Sequence, residues 1–89
     1  MAKIEEIEFP KRLNIDGAKK IVERLRDVDV LSLKGDFIHI KIMKIREPIE
    51  WYIVFGEKYT INGDDSGSWV KILEVFDSLE ELAWFINSL

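Results

Sequence analysis

The chain has 89 residues, 47% apolar and 34% charged side chains, and a net charge of −4. These values describe one soluble folded domain, residues 1–89, and exclude a disordered chain. The longest apolar run is far short of the roughly 20 residues that cross a bilayer, and the absence of cysteine excludes disulfides, thiol nucleophiles and thiolate metal sites.

Met1–Glu6 carries no apolar signal core, so a cytoplasmic location is expected. Glutamine is absent while Ile, Lys and Glu are abundant, a bias found in thermophile proteins. The charge is uneven. Lys11, Arg12, Lys19, Lys20, Arg24 and Arg26 outnumber Asp16 and Glu23 and make residues 11–26 basic, and Glu57, Asp64, Asp65, Glu74, Asp77, Glu80 and Glu81 outnumber Lys58 and Lys71 towards the end of the chain. Two solvated helix surfaces of opposite sign account for this without a ligand.

Lys3–Phe9 is a weak strand, because Ile4, Ile7 and Phe9 fit neither the helical nor the strand period, and its place in a sheet is left open. Pro10 ends it. Ile15–Asp27 is predicted as a helix, with Ile15, Ala18, Ile21, Val22 and Leu25 on one stripe. Asn14 is its N-cap, and Arg24 and Arg26 sit where the helix dipole favours cations. Val28–Leu33 is the next strand, and Lys34-Gly35 turns it into a hairpin with Asp36–Arg46. Glu47-Pro48 breaks that strand, and Ile49–Phe55 follows. Gly56 is either a bulge or a turn, so Lys58–Ile61 extends that strand or starts another. Asn62–Ser68 is a loop, Trp69–Phe76 the last strand, and Ser78–Leu89 a second helix opened by a Ser78–Glu81 capping box. The order β-α-β-β-β-β-α, with short links between strands, predicts an α+β two-layer sandwich. Its sheet is mainly antiparallel, of four to six strands, with two helices on one face. Ile21, Ile38, Ile40, Ile42, Ile53, Ile72, Leu25, Leu82 and Ile86 are the expected core.

The strands are apolar on both faces. In Asp36–Arg46 one face receives Ile38, Ile40 and Ile42, and the other Phe37, His39, Lys41, Met43 and Ile45. A half-buried strand should be polar on its second face. Two helices cover one face only, and a second copy of the chain is the simplest cover for the other. Phe37, Met43, Trp51, Trp69 and Trp84 are therefore the interface candidates, being of the residue types that concentrate at interface centres. A monomer whose first strand and loops cover that face is the competing reading.

Other chemistry is less well signalled. Asn62, Asp64 and Ser66, with Gly67 after them, match the first half of a calcium-binding loop. The motif fails at its twelfth position, which is Leu73, with Glu74 one residue late. A polar link between strands explains the segment as well. His39, the single histidine, has no partner identifiable from spacing, and neither Asp64 with Asp65 nor Glu80 with Glu81 forms a recognisable acid–base pair. No cofactor motif is present, and an enzyme is the minority reading. Single-stranded nucleic acid has a physical case: Trp51, Tyr52, Tyr59 and Trp69 offer rings, and Lys41, Lys44, Arg46 and Lys71 offer charge. The acidic net charge opposes it. The sequence thus leads to a small non-catalytic protein without cofactor, acting by self-association as a homodimer or by binding another protein. It names no process.

Overall fold

The computed structural model describes residues 2–61, 63 and 66–89. Two helices pack on one face of a five-stranded mixed sheet, in the order β-α-β-β-β-β-α. The strands are β1 (Ile4–Glu8), β2 (Val30–Lys34), β3 (Ile38–Ile45), β4 (Trp51–Ile61) and β5 (Gly67–Phe76), and they lie side by side in chain order. β1 runs parallel to β2, and every later pairing is antiparallel.

The topology follows from the connections. Helix α1 (Ile15–Glu23) carries the chain back across the sheet, so β1 and β2 run in the same direction; a parallel pair needs such a crossover. The other strands are joined by short links and meander. Asn14 caps α1, its side chain accepting from the Gly17 amide at 2.8 Å. The helix tightens into a 3-10 turn at Arg24–Arg26, earlier than the apolar stripe implies. Leu25 still reaches the core from that turn. Helix α2 (Leu79–Ser88) is capped by Ser78, whose hydroxyl oxygen accepts from the Glu80 and Glu81 amides at 3.2 and 3.3 Å.

Gly56 neither bulges nor turns. It sits inside β4, and the one-to-one pairing with β3 and β5 continues through it, with Ile40 on one side and Ile72 on the other. Its φ of +152° belongs to a region that residues with a Cβ rarely adopt. β4 and β5 also run past the end of β3, which contributes to an overall extent of 45 × 24 × 23 Å.

The core lies between the helices and the sheet. It unites Ala18, Ile21, Val22 and Leu25 with Leu82, Ala83 and Ile86 above Leu31, Leu33, Ile38, Ile40, Ile42, Tyr52 and Val54. Of the expected core, Ile72 is only partly buried against this cluster, and Ile53 is on the other face. The register pairs Val54 with Ile42 and Ile53 with Met43, and directly opposed residues share a face. The pattern within Ile49–Phe55 alone cannot settle this, because both of its faces are apolar.

Asp29 ties the near ends of β1 and β3 together. Its carboxylate accepts from the Lys3 amide at 3.0 Å and from Arg46 at 2.9 Å. The Lys3 amide first, then the positive charges of Arg46, Lys44 and the N-terminus, hold Asp29 below its ordinary value of 3.8. A lowered carboxylate contributes stability that is fully present above its unfolded value and lost as pH falls through its folded one. Asp29→Asn should therefore be less stable than wild type at neutral pH. The gap should close on acidification through and below pH 3.8. Chemical denaturation across that range measures it, and a pH-independent gap would exclude the charge as its source.

Candidate interaction surface

The second face of the sheet can be read row by row from the pairing register. One row is wholly apolar and crosses all five strands: Ile4, Val30, Met43, Ile53 and Val75. Below it Ile45 pairs with Trp51. Above it stand Glu6, Ser32, Lys41, Phe55 and Leu73, and above those Glu8, Lys34, His39, Glu57 and Lys71. The far end is aromatic, with Tyr59 paired to Trp69 and the Tyr59 amide donating to the Phe37 carbonyl.

The aromatic end is a packed cluster. Ring centroids are 5.8 Å apart for Phe37 and Tyr59, 5.6 Å for Tyr59 and Trp69, and 5.4 Å for His39 and Trp69. Such tilted and edge-on contacts are favourable for aromatic rings. Gly67 lets the Tyr59 ring lie close over the backbone, where a Cβ would collide with it.

This face is open, with Val30, Ile53 and Phe55 half-buried by their neighbours and Ile4, Met43, Leu73 and Val75 around them exposed. Leu73 is 71% accessible, Phe37 64% and Val75 56%. Both helices belong to the opposite layer. β1 does not fold over the face; it is an edge strand in the plane of the sheet. Among the described residues, no element lies over it. A depression of about 420 Å³ opens on it, lined among others by Glu6, Lys34, His39, Lys41, Phe55 and Glu57.

The structure distributes the sequence candidates unevenly. Phe37, Met43, Trp51 and Trp69 share this face. Trp84 does not: it is exposed on α2, whose Leu82, Ala83 and Ile86 are buried towards the sheet. Among the nucleic-acid candidates, Lys41, Tyr59 and Lys71 lie on the open face. Lys44 is buried on the helix side, its ammonium donating to the Leu25 carbonyl at the end of the 3-10 turn. Arg46 is paired with Asp29. Tyr52 is in the core, and burial first, then the Glu50 carboxylate, raises the pKa of its hydroxyl. Of the calcium candidates, Asn62 and Asp64 lie outside the described residues, and Ser66 is exposed. His39 gains neighbours that spacing could not reveal: Glu57 and Lys34 directly opposite on the flanking strands, and the Trp69 ring. Among the described residues, no group of three or more His, Cys, Asp or Glu could hold a metal ion.

The basic and acidic segments approach each other at one place, where Glu80 lies beside Lys19 and Arg26. α1 and α2 pack side by side, and Lys19, Glu23 and Arg26 share a depression with Glu80. Their opposite signs meet within the helix layer. Leu73, Val75, Phe55 and Ile53 are surface residues that strand-by-strand reading did not single out. Their signal was present in the apolar character of both faces, but grouping them needs the register.

The fold and surface define a class: a two-layer α+β sandwich with an open, largely apolar sheet face. No protein-family model matches the chain, and neither a curated protein nor a solved structure does. No helix is long and apolar enough to cross a membrane.

Proposed function

We propose that this protein is a non-catalytic association module whose open sheet face is its working surface, and that two copies bury this face against each other. One observation carries the reading: a continuous apolar row across all five strands, flanked by Phe55, Leu73 and Trp51, on the face opposite the helices. Contiguous exposed apolar surface of this extent marks an interaction site. The dimensions agree. Five strands about 4.8 Å apart and five rows about 6.8 Å apart span roughly 500 Å² per copy, or about 1,000 Å² for two, at the small end of specific interfaces.

Leu73→Asp tests the reading. It places a charge on the open face, on edge strand β5 beside Phe55, and removes no core contact, since Leu73 points away from the helices. The wild-type chain should have twice the 10.5 kDa chain mass by light scattering, stable on dilution. Leu73→Asp should have the mass of one chain, with its circular dichroism unchanged. Trp84→Asp, on the opposite layer, should remain a dimer. A monomeric wild type would sink the self-association reading.

A second reading is favoured by the aromatic cluster. Phe37, Tyr59 and Trp69 lie on the same face as Lys41 and Lys71, an arrangement that suits stacked bases and phosphates. Glu6, Glu8 and Glu57 on that face, and the net charge of −4, oppose it. Quenching of tryptophan fluorescence by single-stranded oligonucleotides, weakening with added salt, would favour it over the first.

A further inference from the structure

We propose that the two copies pack with their strands aligned and are related by a two-fold axis running along β3. This rests on the association reading above and adds its geometry. The observation is the charged row. Read from β1 to β5 it is Glu8, Lys34, His39, Glu57 and Lys71. Reversed, the row places Lys71 over Glu8 and Glu57 over Lys34, with His39 over its own copy. Glu8, Lys34, Glu57 and Lys71 of one copy therefore each meet the opposite sign in the other.

A two-fold axis along β3 performs this reversal. It carries β1 of one copy over β5 of its partner and leaves the height along the strands unchanged. The apolar row is also matched, with Ile4 meeting Val75, Val30 meeting Ile53, and Met43 meeting its own copy. The arrangement is isologous, as a closed dimer requires. It also fits the aligned packing of two sheets, whose strands cross at about 30° because of their twist. An axis running across the strands fails this comparison, because it lays each strand over itself. Through the Glu6–Leu73 row it sets the charged row on the apolar row Ile4–Val75, leaving charges buried without partners, and through the charged row it sets Glu8, Lys34, Glu57 and Lys71 each against its own copy.

Two positions fit less well: Glu6 meets Leu73 of the other copy at the rim of the face, between edge strands β1 and β5, and Lys41 meets its own copy. Lys41 lies on the β3 column between His39 and Met43, near the axis. Lys41→Leu removes that repulsion and should tighten the dimer by roughly tenfold. A dimer that is unchanged or weakened by this substitution would speak against the axis.

A charge exchange between chains gives the decisive test. In Lys34→Glu the introduced carboxylate faces Glu57 of the other copy at both symmetric positions. In Glu57→Lys the introduced ammonium faces Lys34 twice. Each variant alone should dimerise at least about tenfold more weakly than wild type, because like charges brought together across an interface are costly. Mixed in equal amounts, the two variants restore both contacts, because the new glutamate of one faces the new lysine of the other. The mixture should recover wild-type affinity within about threefold, read by sedimentation at about 50 mM salt, where charge effects are less screened. Purely local damage to either monomer could not be repaired by mixing. If the wild type dimerises but the mixture is no tighter than the single variants, the axis along β3 is wrong while self-association stands. A wild-type monomer would remove both.

Discussion

Ile40→Asp should unfold the chain, whereas Lys41→Asp, one residue further along the same strand, should leave it folded. Ile40 is 1% exposed and stands beneath the helices, paired with Leu33 of β2 and Gly56 of β4. An aspartate there is a buried charge. The cation on the same strand and face, the Lys44 ammonium, already donates to the Leu25 carbonyl four residues along β3. Burying an unpaired charge is among the few substitutions that remove about 4 kcal/mol or more. A domain of this size has roughly 5–10 kcal/mol in total, so most of the stability is lost. Lys41 is on the exposed face, where a carboxylate remains hydrated. Far-UV circular dichroism and the melting temperature of the two variants check the contrast. A cooperatively folded Ile40→Asp variant would mean that the helices do not cover the face of Ile38, Ile40 and Ile42.

Gly56→Ala should be the most damaging single-methyl change available in the sheet. The chain at Gly56 has φ of +152°, and a Cβ built there would collide with the His39 carbonyl oxygen and lie 2.7 Å from the Ile40 Cα. Both obstacles are backbone of the neighbouring strand, so no side-chain rotation relieves them. A residue forced into such a conformation costs on the order of 1–3 kcal/mol before any collision is counted. The local separation of β3 and β4 would also have to widen. We expect a loss of about 3 kcal/mol or more by denaturant unfolding. Gly63→Ala provides the control, because among the described residues nothing lies within 4 Å of a Cβ at that position. Equal melting temperatures for the two variants would show that β4 does not approach β3 this closely.

The capping positions were legible because they are local. Asn14 bonds the Gly17 amide three residues on, and Ser78 the amides of Glu80 and Glu81, all within a span that a short motif describes. The alternation of Ile38, Ile40 and Ile42 was legible for the same reason, since a strand's two faces follow from a period of two. Gly56 was not. A glycine in a strand pattern signals a bulge, a turn or a close approach, and only the position of the His39 carbonyl chooses among the three. Ile53 is not separable from its neighbours Tyr52 and Val54 in the sequence, because all three are apolar. Only pairing with β3 shows which of the two sets faces the helices.

The amino-acid order by itself determined the elements, the two-layer α+β architecture and the apolar character of both sheet faces. These rest on interactions between residues a few positions apart and on the number of helices available to cover a sheet. The tertiary structure decided what depends on contacts between distant segments. It placed β1 in the edge of the sheet and not over its face. It also turned Lys44 and Tyr52 inward, and it aligned Glu8, Lys34, His39, Glu57 and Lys71, drawn from five strands, into one row. That alignment depends on strand register, which is set by packing against the helices and not by any single strand. A pattern suited to a second copy could be seen only once the strands stood side by side.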